Sequence, residues 1–318
     1  MSCTGRWAIL FSALVLATGA RLARDEGRAD AAQVALGRRL FHDADLSING
    51  TLSCATCHDP RHGFADGTRA HPGAHGEPGL RNVPSLVNVG ALSPLTWGND
   101  ALVTLEQQAM VPIEGEDPVE MGMKGAEAQL ARRLRADPCY RKLFRAAFPA
   151  GRGRVDFVSV AAALAAFQRT IVSHETAWDH AALSPAAARG EAAFRGGAGR
   201  GGAGCAACHS GREFTDLRFH RLAGEPEVPA NGDVGLARHT GRTEDRGRFR
   251  TPSLRNVALT GPYLHDGSAA TTADAIARHG FVLAPGEAAD IEAFLNALTD
   301  TAVTTDQRYA RPGRTCEV

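Results

Sequence analysis

Two short stretches carry the most specific chemistry in this chain. "CATCH" occupies residues 54–58 and "CAACH" residues 205–209. In each, two thiols three apart are followed at once by an imidazole, the pattern of c-type haem attachment. The thiols can add to the two vinyl groups of one haem, and the adjoining histidine then reaches the iron. Other readings fit worse. A zinc site wants two such pairs about 15–20 residues apart, and these are far more distant. A thioredoxin-like dithiol needs a βαβ setting, and no series of alternating strands is visible. A chance match is plausible once, not twice. Two covalent haems are expected, one on Cys54, Cys57 and His58, the other on Cys205, Cys208 and His209. Function then turns on the other face of each iron. Two protein ligands make an electron carrier, whereas an open sixth position can bind a small oxidant.

The elements that must position these motifs read as mostly helix. "DAAQVALGRRLF", "GAEAQLARRLRADPCYRKLFRAAF", "DFVSVAAALAAFQRTIV", "PAAARGEAAFR" and "GEAADIEAFLNALTD" place apolar residues three and four apart. Ser184 suits the N-cap of one of them, with Pro185 in its first turn. Glycine-rich 196–204 reads as a loop leading into the second motif. The chain also repeats itself. Aligning Pro84 with Pro252 pairs Ser85 with Ser253, Leu86 with Leu254, Asn88 with Asn256 and Val89 with Val257, and sets Trp97 opposite His265. The expectation is two related modules, 21–183 and 184–300, with a tail, 301–318, that folds back on the first.

The 318 residues suffice for two cores. Thirty-five basic residues balance 35 acidic ones, so charge gives no argument for nucleic acid or an anionic membrane. Arg6, the apolar run from Trp7 to Leu16 and small residues to Ala20 read as an export signal over 1–20; an uncleaved anchor is the alternative. The expected protein is periplasmic and not membrane-embedded. Of seven cysteines, Cys3 leaves with the signal. Cys139 and Cys316 are either a disulfide or two unrelated thiols.

On "LGRRLFHDADLSINGTLSCATCH", "LEQQAMVPIEGEDPVEMGM" and "FRTPSLRNVALTGPYLHDGSAAT", the chain resembles the bacterial di-haem cytochrome c peroxidases and their MauG-type relatives. The resemblance covers nearly the whole mature chain. Around residues 95–123 it is most like the methanobactin-operon (MbnH) branch. It implies two mainly α-helical cytochrome c-like domains in tandem. It also implies a peroxide-reactive N-terminal haem, with Gln108, Pro112 and Glu120 in its distal pocket. The step to Glu120 is two residues longer than the common pattern, so Glu114 or Glu116 could take its place. A carboxylate there can move a proton between the two peroxide oxygens. Trp97 matches the tryptophan between the haems, and Asn82 with the carbonyls of Thr260 and Pro262 matches a calcium site. Trp178 reads as an ordinary helix aromatic, and His71 and His75 as loop residues where some relatives hold a removable ligand.

In the peroxidases a methionine, and in MauG-type enzymes a tyrosine, closes the second haem 19 residues after the threonine matching Thr260. Here that position is His279, which departs from both. The repeat points the same way: His279 lies 23 residues past Asn256, while the same step from Asn88 reaches Val111, beside Pro112. One module offers a ligand where the other offers none. Replacing methionine by nitrogen lowers a haem's potential. That favours an enzyme in which hydrogen peroxide reacts at one haem, both haems share the oxidising equivalents through Trp97, and a partner protein is oxidised, at tryptophan by the resemblance. A cytochrome c peroxidase fed by a small redox protein is the alternative, and a di-haem carrier with both irons closed the third reading.

Overall fold

The periodic segments fold as helices around two separate apolar cores. The computed structural model describes residues 30–196, 203–223, 225–228, 231–313 and 315–316. The expected export signal and residues 197–202 of the glycine-rich loop lie outside them. Among the described residues no helix is long and apolar enough to cross a membrane.

The first half contains α1 (30–41), α2 (Cys54–Cys57), α3 (Leu105–Glu114), α4 (Glu127–Ala136), α5 (Pro138–Ala147) and α6 (Phe157–Gln168). The second contains α7 (Pro185–Arg195), α8 (Ala237–Thr240), α9 (Thr272–Arg278) and α10 (Glu287–Asn296). β1 (Phe219–His220) and β2 (Phe249–Arg250) form a two-residue antiparallel pair. The long periodic stretch 125–148 is two helices. Asp137 adopts extended backbone before Pro138 and caps α5 through Cys139 N–H, because the residue before a proline is pushed out of the helical region. Ser184 caps α7 by accepting from Ala187 N–H, with Pro185 in the first turn. Trp178 stands in a turn, not a helix; its indole N–H donates to Glu191 at 2.9 Å.

One packing device recurs in both halves. Gly37 on α1 lies so close to α6 that a Cβ would fall 1.9 Å from the Ala163 carbonyl oxygen. Gly190 on α7 lies equally close to α10, where a Cβ would fall 1.8 Å from the Asp290 oxygen. Each glycine is followed four residues later by a buried phenylalanine, Phe41 and Phe194. Only glycine permits such close backbone approach, so each half crosses its first and last helix at a glycine.

The repeat detected in sequence is geometric as well. Asn88 and Asn256 both adopt positive φ (57° and 59°) before a short 3-10 turn. Asn88 Oδ1 accepts from Ser173 N–H at 2.8 Å, and Asn256 Oδ1 from Asp300 N–H at 2.7 Å. The two halves meet through a reciprocal pair of backbone bonds. Asn82 N–H donates to the His265 carbonyl and Arg250 N–H to the Trp97 carbonyl, both at 2.8 Å. Asn82 aligns with Arg250, and Trp97 with His265, so the joint is two-fold in sequence and in space.

The tail runs back over the first core. Val303 and Tyr309 are buried in it. The Tyr309 hydroxyl donates to the Thr170 carbonyl at 2.8 Å, and Arg38 donates to the carbonyls of Gln307 and Ala310. Cys316 is bonded to Cys139 across 177 residues, which settles the alternative left open by the sequence. A cross-link over so long a loop restricts the unfolded chain strongly. Cys316→Ser should lower stability by about 2–4 kcal/mol, read by denaturant unfolding of the haem-loaded protein. An unchanged midpoint would show that the tail is held by its other contacts alone.

Candidate haem sites

The two Cys-x-x-Cys-His motifs are built alike. Ser53 caps α2 in a capping box with Thr56, fixing Cys54 and Cys57 on one turn. Cys205 begins a 3-10 turn that ends at Ala207, with Cys208 as its C-cap. All four thiols are unbridged. Burial pushes the Cys54 and Cys57 thiols up to about 12 and that of Cys205 to about 11, and it also raises Cys208. They are therefore neutral thiols rather than thiolates, which a metal site or an exchanging dithiol would need.

The proximal histidines are held by the backbone. His58 Nδ1 bonds to the Phe64 carbonyl at 3.0 Å and His209 Nδ1 to the Phe214 carbonyl at 3.0 Å. A ring whose Nδ1–H is engaged presents a bare Nε2, the form that ligates a metal. Burial lowers both imidazoles, His209 to about 4, so both stay neutral. Phe64 and Phe214 reach these positions with φ of 62° and 51°, a region that bulky residues rarely enter. Neither was picked out from sequence, since a carbonyl acceptor leaves no mark in residue type. The shared "F-x-D" after each motif, 64–66 and 214–216, was the available signal. Its aspartates hold a second histidine in each half: Asp66 pairs with His71 at 3.0 Å and Asp216 with His220 at 2.8 Å.

Around the second motif lies a mainly apolar cavity at the joint between the halves. Cys205, Cys208, His209 and His279 line it, together with Asn82, Trp97, Thr260 and Pro262. His279 caps the C-terminus of α9, and its Nδ1 bonds to the Ala275 carbonyl at 2.7 Å. Its ring centroid lies 6.3 Å from that of His209. Two metal–nitrogen bonds of about 2.0 Å plus the radii of two imidazole rings span about that distance. With both Nδ1 atoms engaged by carbonyls, the two Nε2 atoms are the ones left for an iron. The residues present thus fit a haem with two histidine nitrogens. Trp97 is buried, and its indole N–H donates to the Asn82 carbonyl at 2.8 Å.

The first motif faces different chemistry. Gln108 and Pro112 stand one turn apart on α3, hence on one side of it. The extra residues after Pro112 form a tight turn closed by a bridge between Glu116 and Val119. The chain then returns, and Met121 N–H donates to the Pro112 carbonyl at 2.9 Å. This lays Glu120 beside the end of α3. Glu116 turns outward to an exposed pair with Lys124. Glu120 is exposed as a residue, yet burial of its carboxyl raises it, with His71 opposing the shift. Glu120 acts electrostatically on Cys57, and His71 on His58, so these groups share one neighbourhood. Ala74 N–H holds the Glu120 carbonyl at 2.7 Å, which seats the 70–79 loop against it. Val111 is exposed, and neither Val111 nor Pro112 carries a ligating atom.

A fold of this kind, with two such motifs, defines a class of haem oxidoreductases, and comparison with known proteins places the chain within it. Residues 31–185 match the di-haem cytochrome c peroxidase family. The chain is 40% identical over 238 residues to the methylamine utilization protein MauG of Methylorubrum extorquens, covering 74% of this chain and 65% of that one. It is 35% identical over 320 residues to the cytochrome-c peroxidase IdrP1 of Denitromonas iodatirespirans, covering 85% and 82%. A solved MauG-like protein associated with microbial copper homeostasis superposes with a TM-score of 0.82 at 36% identity, covering 88% and 93%. The chain belongs to the di-haem cytochrome c peroxidase and MauG family.

The pairing of His209 with His279 generates a direct expectation. His279→Ala, purified with both haems attached, should show its second haem as high-spin in the ferric absorption spectrum. An unaltered low-spin spectrum would mean that another residue closes that site.

Proposed function

We propose that this is a periplasmic di-haem enzyme that reacts with hydrogen peroxide at an open N-terminal haem and oxidises a partner protein, in the manner of MauG-type and methanobactin-operon enzymes, with tryptophan as the target side chain. The domains are 21–183, carrying the peroxide-reactive haem, and 184–300, carrying the electron-transfer haem, with 301–318 returning to the first. The carrying observation is the asymmetry of two otherwise matched halves. His279 stands 6.3 Å ring to ring from His209, while the first half has Val111 and Pro112 at the corresponding place. The likeness to a solved MauG-like protein associated with copper homeostasis supports the same reading.

When bound, the haems supply the redox chemistry and the affinity for peroxide. The residues supply the rest. Glu120, its carboxyl raised by burial, accepts a proton from the near oxygen of peroxide and returns it to the far one, as a general acid–base group beside the bound peroxide can. Gln108 orients the peroxide with its amide. Pro112 keeps a ligating side chain and a backbone N–H out of the pocket. Trp97 lines the second cavity and is bonded to both halves, through Asn82 and Arg250, so an electron hole on its indole would be held at the joint between the halves. Asn82 and the carbonyls of Thr260 and Pro262, which line that cavity together, would hold one calcium ion through oxygen donors.

A second reading, a cytochrome c peroxidase drawing electrons from a small redox protein, is favoured by the IdrP1 relative, which the chain matches over 82% of its length. Peroxide added to the fully ferric protein separates the two. The first reading expects a long-lived state, two electrons more oxidised, with a near-infrared band. Activity that appears only after one-electron reduction, with rapid turnover of a ferrous cytochrome, would establish the second. Glu120→Gln should slow the reaction with peroxide by about 10²-fold or more in stopped-flow absorption, with both haems retained. Unchanged kinetics would remove Glu120 from the proton transfer.

A further inference from the structure

Arg250 is a deeply placed cation without an anionic partner among the described residues. It is 4% exposed, and among the described residues its side chain reaches only backbone carbonyls. Nε donates to Thr96 at 3.1 Å, one terminal nitrogen to Thr251 at 3.3 Å and the other to Leu95 at 3.3 Å. Two comparable guanidiniums nearby are paired: Arg81 with Asp233 at 2.6 Å and Arg255 with Asp179 at 2.6 Å. A buried charge left unpaired is costly, and burial alone pulls Arg250 down to about 10. A guanidinium has five N–H donors. Three are used here, and the two that remain sit one on each terminal nitrogen, the pair that forks onto a carboxylate.

A second group nearby is also unsatisfied. His265 Nε2 is buried and has no hydrogen-bond partner among the described residues. Its ring is fixed by stacking on Phe249, with centroids 3.5 Å apart, and Phe249 is the residue before Arg250. Arg250 and His265 both line the cavity that holds Cys205, Cys208, His209 and His279. A haem brings two carboxylates, its propionates, and the cavity wall provides one forked cationic donor and one single donor.

We infer that Arg250 and His265 are the propionate-binding end of the second haem cavity, with Arg250 gripping one carboxylate through its two free N–H groups and His265 Nε2–H donating to the other. The inference rests on the reading of Cys205–His209 as a haem attachment site. Arg250 then does two things. It neutralises a propionate near the second iron, which raises the potential of that haem. It also ties the propionate to the Leu95–Trp97 backbone, so the haem edge and Trp97 are fixed by the same side chain. Arg250 is thus a positioning and potential-setting residue rather than a catalytic one. The repeat shows why the first half lacks this device: Asn82 stands where the second half has Arg250.

The test is the midpoint potential of the second haem in the loaded protein, by spectroelectrochemistry. Arg250→Gln should lower it while both haems remain attached and the low-spin spectrum persists, and Arg250→Lys should recover most of the loss. A potential unchanged in Arg250→Gln, with both haems present, would overturn the inference. A wild-type protein with one haem by pyridine haemochrome assay would instead overturn the attachment reading. If Arg250→Gln does not mature, resonance Raman of the Arg250→Lys protein decides. Its propionate-bending band should shift, because an ammonium cannot fork, and an unmoved band would place the guanidinium away from the carboxylate.

Discussion

Two backbone hydrogen bonds organise this molecule: Asn82 N–H to the His265 carbonyl, and Arg250 N–H to the Trp97 carbonyl. They join four residues that pair off in the repeat, and they set one half of the chain face to face with the other. The second haem-attachment motif and His279 share a cavity with all four of these residues. Trp97 is clamped there through both its carbonyl and its indole N–H. The cavity around Cys205, His209 and His279 opens against it. Were the joint loose, the distance between the two haem sites would vary, and the proposed route through Trp97 would lose its fixed path.

Against that symmetric frame, the differences between the halves carry the function. Both proximal histidines are locked by a carbonyl from a phenylalanine of positive φ. Both halves cross their first and last helices at a glycine. Yet opposite His209 stands His279, and the first half answers with a proline-bearing helix and a carboxyl pushed toward neutrality. On the proposed reading, the same scaffold is closed on one side and open on the other. An arrangement of two closed sites would only carry electrons.

Much of this was legible in the sequence, for physical reasons. Cysteine pairs with an adjoining histidine are rare enough to name their chemistry, and five helical stretches showed their period. Helix α3 did not, because Pro112 argues against a helix and the apolar pattern of "LEQQAMVPIE" is weak. The break between α4 and α5 at Asp137–Pro138 was written in the residues, but the apolar period runs on across it. Counting from Pro112 left Glu114 and Glu116 open beside Glu120, which the Glu-Met pair favoured; the turn at Glu116–Val119 that takes up the extra residues left no mark in the spacing. The carbonyls of Phe64 and Phe214 act through the backbone and leave almost no trace in residue type. The Cys139–Cys316 bond needed geometry, because spacing alone cannot pair two cysteines 177 residues apart.

The central claim is that one haem is open and the other is closed by two histidines. Near-infrared magnetic circular dichroism of the fully ferric protein tests it most directly, since the charge-transfer bands report spin state and axial ligand type together. The expected spectrum contains one high-spin haem and one low-spin haem with two nitrogen ligands, in equal amounts. Two low-spin haems, or a low-spin band of methionine–histidine type, would contradict the account.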